Sequence, residues 1–570
     1  MNPDLTKVDL LVIGSGAGGM MAALTAAHAG LKVVLCESSN LLGGTSATSA
    51  GSIWVPCAPP IARGHQANSM ENVWTYLRGE LGEKIDELFM QAYLESGPQA
   101  IEFLEKNTEV QFVHLKNPDY HPQKPGGHSF GNNLSIMPID GKLLGDWFDL
   151  LRPPRDIYTV LGGMMVSRRD VPLLLRPFSS WSNLKYVLKL VIPHLWCRLT
   201  YSRGTRLLIG NALIARMMLG LKKHNVKICV NHRLSQLIQA KNQKRVVGAQ
   251  FDTPQGMIEI HARHGVVLAT GGIPHDQVAQ KELMPRFPHD LSLAFEGNSG
   301  QGIRCARSIG ADIEADVVSP AYWSPASVLN SKKGEKVVWI HGHMDRGKPG
   351  IIAVNSEGHR FVNEADSYHD FVMAMYEKNK TPWTIPAWLI CDHRFIKKYG
   401  LGLIKPLYTR LQPYIDVGYI KKSSSLSDLA MKISIDKNEF LQTIKTYNQD
   451  CLTGIDTQFG RGSNELNRFN GDPDEKPNPC LRAIETGPFY ALAVYPCSIG
   501  TTVGLKTDTH SNVLDQKNQL LQGLYACGND MNAVMRGTYP GPGITLGPAI
   551  VFAYRAIQQI LKNNHSEYSS

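Results

Sequence analysis

The first chemistry that the residues indicate is nucleotide binding near the amino terminus. A run at residues 14–19 matches the G-x-G-x-x-G spacing through Gly14, Gly16 and Gly19, and Ala17 and Gly18 between them are further candidate contacts. The first glycine allows a tight turn, the second lets the backbone approach a pyrophosphate, and the third allows a helix to pack closely on a strand. Glu37 follows at about the distance at which an acidic residue binds ribose hydroxyls. A tight turn without a ligand is the alternative.

A second run of small and hydroxyl residues follows soon after Glu37. It supplies the further candidate contacts Gly43, Gly44, Thr45, Ser46, Ser49 and Gly51. Such a run brings backbone N–H groups against a large, flat, anionic cofactor, and an NAD enzyme has no need of it at this place. We therefore expect FAD. A flexible linker is the alternative, although Ile53 and Trp54 are poor linker residues.

Two later segments return to the same cofactor. A buried apolar strand ends in Ala269, Thr270 and Gly271, and another ends before Gly528 and Asn529. A glycine-rich stretch then leads into the last helix and contributes Gly543, Thr545 and Leu546. Glycines before a helix leave N–H donors free to face a ligand. We expect all of these residues to contact FAD.

The same glycine-rich stretch contains Tyr539, which offers a phenol for hydrogen bonding. A phenol and glycines suit a neutral carbonyl, whereas a dicarboxylate would need arginine and histidine. Arg536 lies nearby, so the sequence does not fully exclude an acidic substrate.

These segments resemble the fumarate reductase/succinate dehydrogenase flavoproteins and, within them, the 3-ketosteroid Δ1-dehydrogenases. The resemblance covers residues 14–56, 118–127, 269–272, 361–375 and 488–554. It implies that Tyr539 and the N–H of Gly543 hold the steroid 3-keto oxygen. It also implies that Tyr368 removes the proton from carbon 2 and that Tyr120 assists. His121 competes with Tyr120 for the last role.

The implied reaction is FAD-dependent desaturation of ring A, with hydride transfer from carbon 1 to flavin, in steroid degradation. A 4-ene steroid dehydrogenase and a fumarate-reductase-like ene-reductase are the neighbouring alternatives. A flavin- or lipid-binding protein without turnover is the alternative of another class. No haem, iron–sulfur or second nucleotide motif is visible, so we expect a diffusible, quinone-like electron acceptor.

The elements that must position these residues predict an α/β fold. We expect a Rossmann-like FAD-binding domain at residues 1–274 and 487–570, interrupted by an α+β substrate domain at 275–486. A helical excursion is predicted at about 113–205. Candidates for the apolar pocket wall, which could equally be core, are Tyr322, Trp323, Pro325, Phe371, Met373 and Met375.

Composition excludes several classes of protein. The formal net charge of +9 is mild for 570 residues, and no run of five like charges occurs, so nucleic-acid binding is not indicated. The 10 cysteines are scattered without a C-x-x-C pair, which predicts no metal site and a reducing, cytoplasmic location. No signal peptide or membrane-spanning segment is predicted.

One segment is unusually basic. Residues 152–206 contain ten basic residues and only two acidic ones, interleaved with leucines and tryptophans. A basic amphipathic stretch can lie on an anionic membrane surface. The alternative is an excursion that packs on its own protein and exposes a solvated basic face.

Overall fold

The computed structural model describes residues 7–64, 68–241, 244–331, 334–342, 345–380 and 382–569, apart from the side chains of 565–569. Its first sheet has six strands in the order Lys227–Cys229, Val33–Cys36, Leu10–Ile13, Val266–Leu268, Leu520–Ala526 and Asn512–Leu514. The first five strands run parallel, and the last pairs antiparallel. The strands at the centre are continuous apolar runs because helices cover both faces of the sheet.

Three helices cover this sheet closely because their contact faces carry small residues. They are Ala17–His28, Ile209–Lys223 and Leu546–Ser569. A Cβ atom on Gly18 would lie 3.1 Å from the sulfur of Cys527 and 3.3 Å from the carbonyl oxygen of Ala549. The glycine therefore brings the first helix against both the sheet and the last helix. This confirms the predicted α/β class and the strand–turn–helix setting of the fingerprint.

A four-stranded sheet adjoins the nucleotide-binding sheet. Its strands are Lys7–Val8, Gly256–Ala262, Val246–Thr253 and Arg233–Gln239. The amino-terminal apolar run is thus divided at Asp9, and its two halves belong to different sheets.

The second large sheet carries the other half of the site. Its seven strands are Lys336–Ile340, Ala321–Asn330, Phe489–Thr501, Ala387–Asp392, Ile351–Val354, Leu291–Ser292 and Lys421–Ser423. The long strand Phe489–Thr501 pairs with four of the others. The expected division at residue 487 places this strand with the FAD-binding domain, whereas its pairing places it in the second sheet.

Further elements surround the sheets. The helices are Gly44–Ala47, Pro59–Ala62, Met70–Leu81, Glu87–Asn107, Gln277–Leu283, Gln301–Ser308, Tyr368–Glu377, His393–Tyr399, Gln412–Asp416, Leu426–Lys432, Lys437–Thr453 and Glu465–Asn470. Short strands Ile53–Trp54, Asn133–Ile136 and Phe112–His114 form a third sheet, and Ile313–Glu314 pairs with Gly504–Leu505.

The predicted helical excursion is α-helical only in its second half. Its α-helices are Asp170–Leu175 and Trp181–Cys197, preceded by the 3₁₀ segments Gly141–Leu150 and Asp156–Tyr158 and by one short hairpin of Thr159–Val160 with Met164–Met165. Residues 115–132 are irregular because the run at 122–127 contains two prolines and two glycines. Within the described chain, no helix is long and apolar enough to cross a bilayer.

Candidate active site

A cavity of about 800 Å³ runs from the glycine fingerprint to the predicted catalytic tyrosines. The predicted residues that line it are Gly14, Gly16, Ala17, Gly18, Glu37, Gly44, Thr45, Ser46, Ser49, Gly51, Tyr120, Ala269, Thr270, Gly271, Tyr368, Gly528, Asn529, Tyr539, Gly543, Thr545 and Leu546. Gly19 and Gly43 do not line it. Residues from both ends of the chain and from its middle thus meet around one space.

The fingerprint glycines divide into packing and ligand-facing positions. Gly14 has φ +107°, and a Cβ atom there would lie 2.1 Å from the carbonyl oxygen of Ala269. A Cβ atom on Gly19 would lie 1.9 Å from the carbonyl oxygen of Gly14. Gly16, by contrast, faces space, with Ser46 Oγ the nearest atom at 3.5 Å. The helix that starts after Gly16 has no side-chain cap, so its free N–H groups are available to a phosphate.

Glu37 is held rigidly at the cavity wall. One carboxylate oxygen accepts from the hydroxyl of Ser15 at 2.6 Å, and the other accepts from the N–H of Ser39 at 3.0 Å. The same Ser15 hydroxyl accepts from the N–H of Gly43 at 2.9 Å. Gly43 therefore helps to fix Ser15, which in turn holds Glu37. This corrects the expectation that Gly43 contacts the cofactor.

Asp530 is a site residue that sequence reasoning missed. It is fully buried and accepts from Thr270 Oγ1 at 2.9 Å and from the N–H of Gly272 at 2.8 Å. Burial raises the pKa of its carboxyl group. Asp530 follows the strand Leu520–Ala526, and its hydrogen bonds fix the turn that follows the strand Val266–Leu268. Its position directly after Gly528 and Asn529 in the sequence could have indicated this role.

The lining of the nucleotide end fits FAD. Gly44 has no atom within 4 Å of a Cβ position, so its backbone is open to a flat ligand, as at Gly16. Glu37 offers a carboxylate for ribose, and helix amino termini offer N–H donors for phosphates. No cluster of three or more metal-ligating side chains occurs within the described residues.

The three predicted catalytic tyrosines meet at the other end of the cavity. The hydroxyl of Tyr368 donates to the hydroxyl of Tyr539 at 2.8 Å. The ring of Tyr120 lies 5.5 Å from that of Tyr368 and stacks 5.2 Å from that of Tyr539, measured between centroids. Burial raises the pKa of each phenol above its ordinary value. The phenols are therefore protonated donors at neutral pH.

The segment that carries Tyr539 and Gly543 is fixed from several directions. The carbonyl oxygen of Pro540 accepts from the hydroxyl of Tyr76 at 2.6 Å and from the N–H of Tyr120 at 2.8 Å. Gly543 has φ +104°, and a Cβ atom there would lie 2.5 Å from the nitrogen of Ile53. This close approach requires glycine and leaves the backbone of Gly543 at the cavity surface.

His121 points away from the cavity, which distinguishes it from Tyr120. Its Nδ1 lies 2.9 Å from a carboxylate oxygen of Glu80, and its Nε2 lies 2.8 Å from Oδ2 of Asp370. Burial opposes protonation of His121, but the two carboxylates outweigh it and raise the pKa to about 10. Burial also opposes ionisation of Asp370, but the His121 charge outweighs it and lowers that pKa to about 2. His121 is therefore a partly buried cation between two anions.

A second buried ionic cluster supports the segment before Tyr368. Glu364 receives two hydrogen bonds from Arg360, at 2.9 and 2.8 Å, and one from Arg461 at 3.1 Å. Arg360 also pairs with Asp456 at 2.9 Å. These side chains are fully buried. The stretch 361–375, which carries part of the family resemblance, thus contributes Glu364 as support for Tyr368 as well as Tyr368 itself.

The candidates for the pocket wall pack in the core, which is the alternative that the sequence left open. None of Tyr322, Trp323, Pro325, Phe371, Met373 and Met375 lines the cavity. Tyr322 and Trp323 lie in a central strand of the second sheet, which the helix bearing Tyr368 covers. The apolar wall is formed instead by Ile157, Tyr158, Trp339, Ile340, Leu466 and Phe469. The basic segment contributed Ile157 and Tyr158, and no local pattern marked the others.

Comparison with known proteins agrees with this geometry. The FAD binding domain family matches residues 9–546. A 3-oxosteroid 1-dehydrogenase of Mycolicibacterium smegmatis is 33% identical over 567 residues, covering 97% of both chains. A 4-oxocyclohex-2-ene-1-carboxylate 5-dehydrogenase of Sinomonas cyclohexanicum is 33% identical over 561 residues, covering 97% of this chain and 94% of that one. The crystal structure of a 3-ketosteroid Δ1-dehydrogenase from Sterolibacterium denitrificans, in complex with 1,4-androstadiene-3,17-dione, aligns with a TM-score of 0.90. It has 33% identity and covers 98% of this chain and 100% of that one.

Proposed function

Because the chain belongs to the FAD-binding flavoprotein family that includes the 3-oxosteroid 1-dehydrogenases, we propose that it desaturates ring A of 3-ketosteroids between carbons 1 and 2. The observation that carries this proposal is the junction of Tyr539, Gly543 and Tyr368 at one end of a cavity whose other end fits FAD. The relatives named above act on ring ketones, which agrees with a carbonyl-binding pair of donors.

In the proposed mechanism, Tyr539 and the N–H of Gly543 donate hydrogen bonds to the 3-keto oxygen. They stabilise the negative charge that develops there when a proton leaves carbon 2, and each such donor is worth about 10²–10³ in rate. Bound FAD supplies the two-electron acceptor for the hydride that leaves carbon 1. The fixed backbone at Pro540 keeps Tyr539 in place during both transfers.

The carbon-2 proton is assigned to Tyr368. Its hydroxyl donates to Tyr539, so Tyr368 must release its own proton to solvent before it accepts the proton from carbon 2. Tyr120 is in ring contact with both phenols, and we assign to it the assisting role in this proton transfer. Glu80, His121 and Asp370 hold the segments of Tyr120 and Tyr368 together without facing the cavity.

Anaerobic mixing with androst-4-ene-3,17-dione tests the proposal. We expect the visible flavin absorbance to bleach and a 1,4-diene-3-one to form in equal amount. Subsequent addition of a soluble quinone should restore the absorbance, which tests the quinone-like acceptor. A double bond at another position would favour the 4-ene dehydrogenase alternative, and re-oxidation on adding an unsaturated acid would favour the ene-reductase. Retention of flavin colour with bound steroid would favour the non-catalytic alternative.

We also propose that the helix Trp181–Cys197 and its flanks lie on an anionic membrane surface. Phe178 and Trp181 are each 85% exposed, and Trp196 is 70% exposed. Lys185, Lys189 and other basic residues are exposed beside them, and residues 171–251 contain no acidic residue. Apolar side chains for the acyl boundary and cations for the headgroups therefore occur on one segment.

Liposome flotation tests this second proposal. Vesicles of phosphatidylcholine with phosphatidylglycerol should carry the protein at low salt, and pure phosphatidylcholine should carry less. A Trp181→Ser/Trp196→Ser variant should lose flotation while it keeps flavin and turnover of soluble steroid. A matched Leu452→Ser variant, which changes an exposed leucine on a different helix, should float like the parent. If the Trp181→Ser/Trp196→Ser and Leu452→Ser variants floated equally well with anionic vesicles, the proposed membrane contact would be overturned.

A further inference from the structure

The substrate end of the cavity carries unneutralised positive charge. The carboxylates that line the cavity are Glu37 and Glu296. Both belong to the nucleotide end, since Glu296 follows Phe295, whose N–H donates to Thr45 Oγ1 at 2.8 Å. Arg168 also lines the cavity, where its side chain is exposed, and it forms no ion pair with a carboxylate in the described part of the chain.

Arg168 is placed by an aromatic contact alone. Its guanidinium carbon lies 4.8 Å from the ring centroid of Phe469, which also lines the cavity. Among the described residues the guanidinium has no hydrogen bond, so its N–H groups are available to a ligand. Arg155 lines the cavity too, but it already donates to the carbonyl oxygen of Leu293.

Asn470 gives an independent indication that a polar ligand group binds here. It follows Phe469, is 1% exposed and lines the cavity. Its Nδ2 has no acceptor among the described residues, and a buried donor left unpaired costs about 1–3 kcal/mol. The helix that carries it is fixed one turn earlier, where Asn467 donates to Asp366 at 2.8 Å. The orphan donor therefore points to an acceptor that the protein itself does not provide.

A nearby lysine adds to the positive charge. Lys348 donates to the carbonyl oxygen of Gly471 at 2.7 Å. Burial and then the charge of Arg168 lower the pKa of Lys348 to about 8. Asp472 is the carboxylate that acts against this lowering, and it is already paired with Lys398 at 2.8 Å. An anion beside Arg168 and Asn470 would relieve this repulsion.

We propose that Arg168 and Asn470 bind a carboxylate on the part of the substrate away from ring A. The inference rests on the proposed function, because Tyr539 and Gly543 must hold the ketone. It narrows the substrate class to 3-ketosteroids that carry an acidic group, with neutral steroids as poorer substrates. Both residues determine specificity and take no part in proton or hydride transfer.

A matched substrate pair tests this assignment. 3-Oxoandrost-4-ene-17β-carboxylate and its methyl ester share all rings and differ in charge. We expect wild-type kcat/KM to be at least about 10-fold higher for the acid, since a charge-assisted hydrogen bond contributes about this much or more. R168Q and N470L should each lower kcat/KM for the acid about 10-fold or more, with the ester changed less than about 3-fold. R169Q removes a neighbouring exposed arginine that does not line the cavity and should change neither.

Dissociation constants of both steroids, measured by perturbation of the flavin spectrum or by equilibrium dialysis, separate the possible failures. Equal affinity of the wild type for acid and ester would overturn the inference, as would an equal effect of R168Q on both. Steady ester turnover and flavin content in the variants exclude misfolding as the cause. If neither steroid reduces the flavin, the desaturase assignment fails, and the ratio of the two dissociation constants still decides the carboxylate site.

Discussion

Nε2 of His121 lies 2.8 Å from Oδ2 of Asp370, and this contact joins two segments that are 249 residues apart in sequence. His121 follows Tyr120, and Asp370 stands two residues after Tyr368 at the start of a helix. The ion pair therefore fixes the distance between two tyrosines of the site without touching the cavity. Glu80 binds the other imidazole nitrogen, which keeps the ring charged.

We predict that His121→Gln destabilises the fold and slows the reaction through the tyrosines. Loss of the cation leaves two carboxylates poorly paired, at a cost of about 2 kcal/mol. This cost in unfolding free energy is smaller than for a fully buried ion pair, because Lys124 still binds Glu80 and Asp370 is partly exposed. Urea unfolding at pH 7 measures the change. FAD content should stay constant while kcat falls, because the cofactor end of the cavity is untouched.

The pH dependence of that stability difference gives a second check. The folded-state pKa of His121 is raised from 6.5 to about 10, so its stabilising contribution is complete below pH 6.5 and disappears as pH approaches 10. The gap in unfolding free energy between wild type and His121→Gln should therefore narrow across this range. His261→Gln, at a half-exposed histidine, is the control and should show little difference at any pH. A gap that widens with pH would contradict the charged state assigned to His121.

The raised pKa of the tyrosine cluster predicts an alkaline rise in rate. Burial is the first cause of the shift at Tyr368, and the neighbouring Tyr120 adds to it. Below that pKa the ionised fraction grows tenfold per pH unit, so the rate of anaerobic flavin reduction should climb without a plateau below pH 9. Tyr368→Phe should remove the slope and most of the rate while steroid still binds. The titration belongs to the cluster as a whole, because its phenols interact.

Tyr539→Phe should lower kcat by about 10²–10³, the effect expected for loss of one donor to a developing oxyanion. The effect on ground-state binding should be small by comparison, because the donor acts mainly on the charge that develops in the transition state. Tyr322→Phe is the matched control. Its ring lies 5.1 Å from that of Tyr539 and is buried, yet it does not line the cavity. Full activity in Tyr539→Phe would refute the carbonyl-binding role.

These residues also show which parts of the site could be predicted from the sequence. The positions of Gly14, Gly16 and Glu37 followed from local conformation, because a strand, a turn and a helix in succession allow few arrangements. The tyrosines required motif resemblance, since 20 tyrosines are present and most pack in the core or at the surface. The distinction between Tyr120 and His121 depended on Asp370, a partner that no local pattern connects to them.

The pocket wall was beyond sequence reasoning for the same physical reason. Trp339 and Phe469 come from a strand of the second sheet and from a short helix, and they meet only through tertiary packing. Trp323, which looked equally suitable, faces into the interior of that sheet and donates to Ser319 at 2.8 Å. Apolar composition alone does not tell a cavity wall from a core.

Substitutions at Gly14 and Gly30 distinguish cofactor binding from general stability. Gly14→Ala should abolish FAD retention, because the new methyl group would meet the carbonyl of Ala269 at 2.1 Å at a positive φ. Gly30→Ala introduces a methyl group at φ +88° with no atom within 4 Å, so it incurs only backbone strain of about 1 kcal/mol. The ratio of flavin to protein absorbance after purification and the thermal midpoint measure the two effects. Gly14→Ala with full flavin content would show that the turn tolerates a side chain, and the pyrophosphate assignment at this glycine cluster would then need another basis.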